Sequence, residues 1–460
     1  MVQDDSTPNW WQLIPDSAGD YVNGTWKPLQ PMQSTYGPNA FASAVLPDGR
    51  LIIEGGEHNF FGGQTNQGAI YDPVADSWQS INAPTGWGII SDAQSVVLPN
   101  GTFMLGSHYG DNEVAIFNQS NLSWTIVYPT NKNPNDGSAD EEGWTLLPSG
   151  NVLTVDVHQS STAEVYSPTT QAWSGTMSTV VNLADLGVCY EMGPAVLRPD
   201  GTVFAIGATN QTAVYNSTTN QWSAGPSLSS ISLDGDGAPD APAAVLPNGK
   251  VLFSVAPTTP SNCFNTKGLQ FLEFDGVGLT KIASPTLPDT GQIFDSINYL
   301  GRMLVLPTGQ ILYTPTSKLA WVYNPEPGYN SAWAPTITSV PTTLLRGHKN
   351  YIVNGRQLNG MTQGAMYGDD AQTATNYPLV RITNSRTGRV RFARTHTFST
   401  MGVATGTAIV SAQFDIPADI ELGAASLVAV TNGIPSAPVN VNIICKVDSI
   451  FCDGFDLVVH

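Results

Sequence analysis

An all-β fold, a β-propeller followed by an immunoglobulin-like β-sandwich, is predicted by two repeating patterns and by the point at which they stop. A proline recurs at six positions that lie 48 to 60 residues apart: Pro47, Pro99, Pro148, Pro199, Pro247 and Pro307. Each proline begins a Pro-x-Gly turn between two apolar runs. This predicts a β-hairpin, because proline fixes φ at one corner and glycine accepts a positive φ at the other. A period of about fifty residues is typical of kelch repeats.

The second half of each repeat predicts another hairpin, with an aromatic residue on each strand. In four repeats an aromatic residue precedes a tryptophan by seven positions: Tyr71 and Trp78, Phe117 and Trp124, Tyr166 and Trp173, and Tyr215 and Trp222. Rings of this size pack between neighbouring four-stranded sheets. Six repeats favour six blades. Residues 20–26 look like the end of a further repeat, so a seventh blade that closes the ring at the chain termini is possible.

The repeats stop in a segment rich in Pro, Asn and Gly at residues 324–335. Short alternating runs with turn residues between them follow, which is typical of an immunoglobulin-like sandwich. The predicted organisation is a propeller over residues 1–335, a sandwich over residues 336–444 and a C-terminal tail over residues 445–460.

The charge balance bears on partners and compartment. There are 37 acidic and 18 basic residues, a formal net charge of −19, so a duplex or an anionic bilayer would repel the protein, and nucleic-acid and membrane roles are improbable. Carbohydrates and other small hydroxylated substrates stay open as partners. Low lysine content and many Asn, Thr, Ser and Gly residues favour a secreted protein whose signal peptide has been removed. We expect a monomer.

Four cysteines are present, and none forms a zinc-type cluster. Cys445 and Cys452 lie seven residues apart, and we expect a disulfide between them. Cys189 and Cys263 could be bonded, buried or reactive, and their spacing does not decide.

Acidic and imidazole side chains recur at equivalent positions of the repeats. Four carboxylates precede the repeat proline by seven residues, or by eight in the fourth repeat, where Arg198 is an extra residue: Asp92, Glu141, Glu191 and Asp240. Three histidines, each fifty residues from the next, follow the second strand of their repeats: His58, His108 and His158. In an up-and-down blade these two loops lie on the same face. The sequence therefore predicts one mouth lined by acids and imidazoles.

Crowded carboxylates raise one another's pKa unless a cation or a proton lies among them. Carboxylates alone would suit Ca²⁺, whereas carboxylates with imidazoles would suit copper or zinc. Without a metal, a carboxyl with a raised pKa could act as general acid or base on a glycan. We predict Tyr299, Glu141, Asp92 and Glu191 as catalytic residues, and Arg302, Asp240 and His58 as substrate-binding residues.

Structural interpretations stay open beside these. Acids at strand starts often bind backbone N–H groups of the adjacent blade, and the histidines could be exposed loop residues. Arg302 could bind a substrate carboxylate or neutralise the acids.

Kelch repeats followed by this C-terminal region resemble the galactose oxidase and glyoxal oxidase superfamily. The specific motifs are Gln-Gly at 363–364, Tyr-Gly-Asp-Asp at 367–370, Asn-Tyr-Pro-Leu-Val-Arg at 376–381, Arg-Thr-His-Thr at 394–397 and Asn-Gly-Ile-Pro-Ser at 432–436. The resemblance implies that His396 takes the place of a copper-binding histidine and approaches the mouth. It also implies that His58 takes the place of a tryptophan beside the copper.

Two positions depart from the family pattern. Where the family has Tyr-His in the last blade, this chain has Tyr299 and Leu300, and where it has a cysteine cross-linked to tyrosine, this chain has Ala40 or Asp92. A cysteinyl-tyrosine radical cofactor is therefore not expected. A metal held differently would use His396, His58, His108 and His158.

The function predicted from the sequence is that of a secreted bacterial enzyme that acts on extracellular carbohydrate or a related hydroxylated substrate at this mouth. The reaction type, whether oxidation or metal-assisted hydrolysis or elimination, is open. One alternative is a glycan-binding or cell-surface interaction module without catalysis, since a propeller specifies no chemistry. Another is a copper-dependent alcohol or aldehyde oxidase with a non-standard metal site.

Overall fold

The structure is a computed structural model that describes residues 1–60, 62–108, 113–133, 141–187, 189–258, 267–315, 317–367 and 376–445. It is nearly all-β, with seven propeller blades and a curled sheet after them. The seventh blade is the N-terminal sheet of β1 (Val2–Gln3), β2 (Trp10–Ile14) and β3 (Thr25–Pro28). Six blades were favoured from the repeats. The seventh, allowed for as a blade that closes the ring, was not counted among the repeats because its strands lack the Pro-x-Gly turn.

The first four repeats form blades whose strands pair in chain order. A short pair, β4 (Pro38–Asn39) and β7 (His58–Asn59), lies beside the first blade of β5 (Ala42–Val45), β6 (Leu51–Glu54), β8 (Gly68–Asp72) and β9 (Ser77–Ile81). The second blade has β10 (Ser95–Val97), β11 (Phe103–Gly106), β12 (Val114–Asn118) and β13 (Ser123–Val127). The third has β14 (Thr145–Leu146), β15 (Val152–Val155), β16 (Thr162–Ser167), β17 (Ala172–Trp173) and β18 (Met177–Ser178), and the fourth has β19 (Ala195–Leu197), β20 (Thr202–Ile206), β21 (Thr212–Asn216) and β22 (Gln221–Ala224).

The last two repeats complete the ring. The fifth blade contains β23 (Asp236–Gly237), β24 (Pro242–Val245), β25 (Val251–Pro257), β26 (Gln270–Phe274) and β27 (Leu279–Ile282). The sixth contains β28 (Gly301–Val305), β29 (Ile311–Pro315) and β30 (Trp321–Tyr323). Short 3₁₀ helices cover Leu228–Ile231, Asn298–Leu300 and Ser331–Trp333. None of the helices in the described ranges is long and apolar enough to cross a membrane.

The C-terminal strands are β31 (Thr336–Ser339), β32 (Thr343–Leu345), β33 (Tyr351–Arg356), β34 (Ala365–Tyr367), β35 (Leu379–Asn384), β36 (Val390–His396), β37 (Val410–Asp415), β38 (Gly423–Thr431), β39 (Ile434–Pro435) and β40 (Val439–Ile444). All except β34 form one sheet, in the order β31-β33-β37-β36-β35-β38-β40-β32 with β39 on β38. Alternate residues of its strands are buried, as in Val380 and Ile382, which gives the curled sheet an apolar interior.

Both repeating patterns give the predicted hairpins. The glycine of every Pro-x-Gly turn has a φ between 81° and 87°, a range that favours glycine. The aromatic pairs face each other across strands, for example Tyr71 opposite Trp78 and Tyr166 opposite Trp173, with ring centroids 5.0 and 5.3 Å apart. These rings pack within blades and, as Trp78 does on Trp10, between neighbouring blades.

Cys189 and Cys445 are both disulfide-bonded. Cys263 and Cys452 lie outside the described residues, so the expected Cys445 to Cys452 bond stays a prediction.

Candidate functional site

Three carboxylates from consecutive blades meet at the axis of the propeller. Glu141, Glu191 and Asp240 precede the innermost strands β14, β19 and β24, and one carboxylate oxygen of each lies within 4.8 Å of the others. Glu191 is buried, and the other two are half-buried, so the group opens to solvent. Three of the four predicted repeat-equivalent carboxylates therefore converge, and Asp92, the fourth, is not part of this trio.

The pKa of Asp240 is raised from 3.8 to about 7, most by burial and then by the negative charges of Asp92 and Glu57. Arg302 and a side-chain hydrogen bond with Glu191 act in the opposite direction. Two carboxyl groups can hydrogen-bond only when one of them carries a proton. A proton held between Glu191 and Asp240 would satisfy this hydrogen bond.

Two further acids, Asp92 and Glu57, lie close enough to interact electrostatically. Asp92 is buried and accepts a 2.6 Å hydrogen bond from the Ser91 hydroxyl, which in turn accepts one from the Gln64 amide. Burial, followed by the charge of Asp92, raises the pKa of Glu57, while His58 lowers it. Glu57 was not singled out from the sequence, although its position directly before His58 could have indicated it.

The loops that carry these acids share an unusual backbone conformation. Non-glycine residues with a left-handed φ of 42° to 62° precede the innermost strand in five successive blades: Ala40, Ser91, Glu141, Tyr190 and Asp240. Such a conformation costs about 1 to 3 kcal/mol per residue and is concentrated at functional sites. The repetition around the ring indicates that the strain belongs to the mouth.

Tyr299 and Arg302 belong to the sixth blade. The Arg302 guanidinium donates hydrogen bonds of 2.6 Å to the Tyr299 carbonyl and 2.9 Å to the Gly301 carbonyl, which fixes its position. Burial raises the pKa of the Tyr299 phenol, and the charges of Glu57, Asp240 and Asp5 add to the effect. The two residues therefore lie within electrostatic range of the acids.

The three repeated histidines lie at the mouth end of their blades but outside the carboxylate trio. His58 pairs with Asn39 through β7, its Nδ1 is 3.1 Å from the Gly62 carbonyl and its Nε2 is 3.7 Å from Glu57. His158 stacks on Tyr190, and His108 follows β11. Within the described part of the chain, no histidine joins a group of three or more metal-type ligands. Their role as metal ligands gains no support.

His396 does not lie at this mouth, contrary to what the resemblance implies. Its Nε2 is 3.1 Å from Asp415, and its Nδ1 is 2.9 Å from the Thr397 hydroxyl. A Cβ atom on Gly49 would lie 3.1 Å from the His396 Cβ. Gly49 is in the turn that joins β5 to β6, at the opposite end of the blade from Ala40.

The C-terminal region reaches the axis through another motif. The Gln363 side chain accepts a 2.8 Å hydrogen bond from the Leu146 backbone, and β34 pairs with β24 so that Tyr367 lies opposite Pro242. Because the pairing is antiparallel, the chain runs along the axis towards the mouth. Residues 368–375, which include the Gly-Asp-Asp of the resemblance, lie outside the described residues.

A buried ionic cluster in the third blade was missed by the sequence analysis. The Lys132 ammonium lies 2.8 Å from Glu142, 3.1 Å from Glu164 and 3.7 Å from Asp156, and all four side chains are fully buried. The ammonium also lies 4.9 Å from the Trp173 ring centroid. Glu142 directly follows Glu141, so the cluster anchors the backbone that presents Glu141 to the axis.

The donors at the mouth decide which metal would fit. Carboxylate oxygens without imidazole suit a hard cation such as Ca²⁺. The copper site implied by the resemblance needs imidazole donors, and among the described residues none lies in the trio. The residues present therefore do not fit that copper site.

Comparison with known proteins supports the fold alone. No family model matches the sequence, and no curated protein matches it at a significant level. A fungal alcohol oxidase of the AA5 family, solved in complex with copper, is 14% identical, with a TM-score of 0.50 over 95% of this chain and 94% of its own. The extracellular domain of a putative hybrid two-component system from B. thetaiotaomicron is 12% identical, with a TM-score of 0.43 over 97% of this chain and 56% of its own.

Proposed function

We propose that the protein is a secreted enzyme that acts on carbohydrate or a related hydroxylated substrate, with the Glu191–Asp240 pair as general acid and base. The observation that carries the proposal is the hydrogen bond between Glu191 and Asp240, together with an Asp240 pKa of about 7. An acid–base group is most effective when its pKa lies near the working pH. A pair of carboxyls that share one proton can donate to one substrate oxygen and accept from another.

The residues around the pair have roles that their positions suggest. Glu141 lies within 4.8 Å of the pair and would stabilise positive charge that develops on the substrate. Arg302 carries the compensating positive charge in the site and would orient substrate hydroxyls. Because the surrounding groups are acidic, neutral polysaccharides are better candidates than polyuronates.

The test is a screen of neutral polysaccharides for new reducing ends or unsaturated products, followed by pH profiles. Asp240→Asn and Glu191→Gln should each lower kcat by about 10²- to 10⁴-fold. Asp234→Asn, a matched change at an exposed position upstream of the mouth, should leave it unchanged. Turnover that survives both mouth variants would exclude the proposal. Glycan binding without product would instead favour the non-catalytic alternative.

A divalent-cation site is a second candidate, favoured by the three carboxylates within 4.8 Å. Here a hard cation would replace the shared proton and polarise a substrate oxygen. Titration calorimetry with CaCl₂ should show binding of one ion that Glu141→Gln weakens. No heat of binding at millimolar Ca²⁺ would eliminate this version. A further test measures peroxide production from alcohols after the protein is loaded with copper. Peroxide production would favour the oxidase alternative.

A further inference from the structure

An aromatic pair lies at the rim of the mouth, next to the proposed acid–base residues. The Tyr190 and His158 rings are stacked, with centroids 4.8 Å apart and planes inclined by 24°. Tyr190 is 44% exposed although one face of its ring is covered. The other face is therefore available to a ligand.

The backbone holds Tyr190 in this exposed position at an energetic cost. Its φ is 61°, a left-handed conformation that costs a tyrosine about 1 to 2 kcal/mol. Its neighbours in the chain are Cys189, which is disulfide-bonded, and Glu191. The loop is also closed by backbone hydrogen bonds from Tyr190 to Asp185 and from Asp185 to Glu191, each under 3.0 Å. The same left-handed conformation recurs at Ala40, Ser91, Glu141 and Asp240, so it belongs to the loops of the mouth, and here it places the Tyr190 ring on the surface.

The pair spans the same blade boundary as two of the acids. His158 and Glu141 belong to the third blade, and Tyr190 and Glu191 to the fourth. A substrate in contact with the acids would therefore lie at the blade boundary that also carries the Tyr190 ring. Aromatic faces of this kind are typical of ligand sites that fix orientation with a few polar groups.

We propose that Tyr190, supported by His158, is a binding platform that stacks on the apolar face of a pyranose ring in a neutral oligosaccharide. This rests on the proposed function, because it takes the mouth as a carbohydrate site. Stacking covers the carbon-bound hydrogens of the sugar, while the acids and Arg302 contact its hydroxyls. The platform is a specificity-determining element, since a uronate ring would bring its carboxylate close to Glu141 and Glu191.

The experiment measures binding and turnover separately. Titration calorimetry with cellohexaose, xylohexaose, mannohexaose and chitohexaose, with a galacturonate hexamer as the anionic comparison, identifies the neutral sugar that binds. Tyr190→Ala should weaken its binding about tenfold, and Tyr190→Phe should keep it. Where turnover is found, KM should rise by the same factor with little change in kcat. Tyr128→Ala, at a 65% exposed tyrosine after the outermost strand of the second blade, is the matched control.

Tyr190→Gly separates a binding role from a structural one. Glycine adopts this φ without strain, so the variant should be as stable as the wild type or more stable, yet bind about tenfold more weakly. Tyr190→Ala and Tyr190→Gly proteins that bind sugar like the wild type would overturn the platform and leave the acid–base proposal standing if turnover persists. A wild-type protein that neither binds nor converts any of these sugars would overturn both.

Discussion

Replacing Asp240 by asparagine is expected to stabilise the protein at pH 8 while it removes the proposed acid–base group. In the folded protein the Asp240 pKa is about 7, and it is 3.8 without these surroundings. Between these pH values the folded state holds a proton that the unfolded chain has lost. The free energy of unfolding therefore falls as pH rises from about 4 to about 7 and is constant above that range. Asparagine carries no such proton, and its amide can donate to Glu191.

The size of the effect follows from the pKa change. Raising an acid from 3.8 to about 7 corresponds to about 4 kcal/mol, because a tenfold change in proton affinity is worth about 1.4 kcal/mol. This is an upper bound, since part of Asp240 reaches solvent and its proton affinity depends on the hydrogen bond with Glu191. We expect a gain of about 1 to 3 kcal/mol at pH 8 and close to none at pH 4.

Chemical denaturation of the wild type, Asp240→Asn and Asp234→Asn at pH 4, 6 and 8 measures this difference. The Asp240 variant should become progressively more stable relative to the wild type as pH rises, and the control variant should not. An Asp240→Asn protein that is less stable than the wild type at pH 8 would refute the shared-proton interpretation. So would a difference that does not depend on pH.

Three further predictions concern buried or clustered charges. Lys132→Met should lower the free energy of unfolding by about 3 to 5 kcal/mol in chemical denaturation, because it leaves three buried carboxylates without their cation. Lys27→Met, at an exposed ion pair, is the control and should change the free energy of unfolding little. Burial raises the pKa of Glu54 well above its usual value, and within the described residues neither of its carboxyl oxygens has a hydrogen-bond partner. Glu54→Gln should therefore stabilise the protein more at pH 8 than at pH 5, which thermal melts can measure. If Ca²⁺ binds the trio, saturating CaCl₂ should raise the melting temperature of the wild type but not of Glu141→Gln, and equal shifts would contradict that site.

The sequence predicted the propeller and the convergence of the acids for one physical reason. Blades of a propeller are related by rotation about an axis, so a residue at an equivalent position of each repeat returns at the same height around that axis. Glu191 shows how closely the repeat sets the position. Its position in the repeat matches those of Glu141 and Asp240 only when the extra residue Arg198 is taken into account.

Features that depend on tertiary contacts and not on a repeat-equivalent position were not predictable in this way. Lys132 finds its three carboxylates in loops and strands that share no spacing, so no pattern indicates the cluster. The predicted position of His396 was wrong for a related reason. A local motif predicts the strand of His396 but not the end of the propeller that this strand contacts. Arg394 and Phe398 donate hydrogen bonds to the carbonyls of Asp48 and Pro47, and these bonds place His396 at the end away from the mouth.

The chemistry of the mouth follows from how the fold presents its charges. Three innermost strands each follow a carboxylate of the trio, whose oxygens lie within 4.8 Å of one another, and Arg302 is the cation that acts on Asp240 and Asp5. The rigid blades prevent the acids from relaxing away from one another, because their loops are fixed by left-handed residues and by packing behind them. The repulsion can then be relieved by a proton or by a bound cation. Protonation and cation binding should therefore compete at the same group, so that cation affinity rises with pH as Asp240 loses its proton.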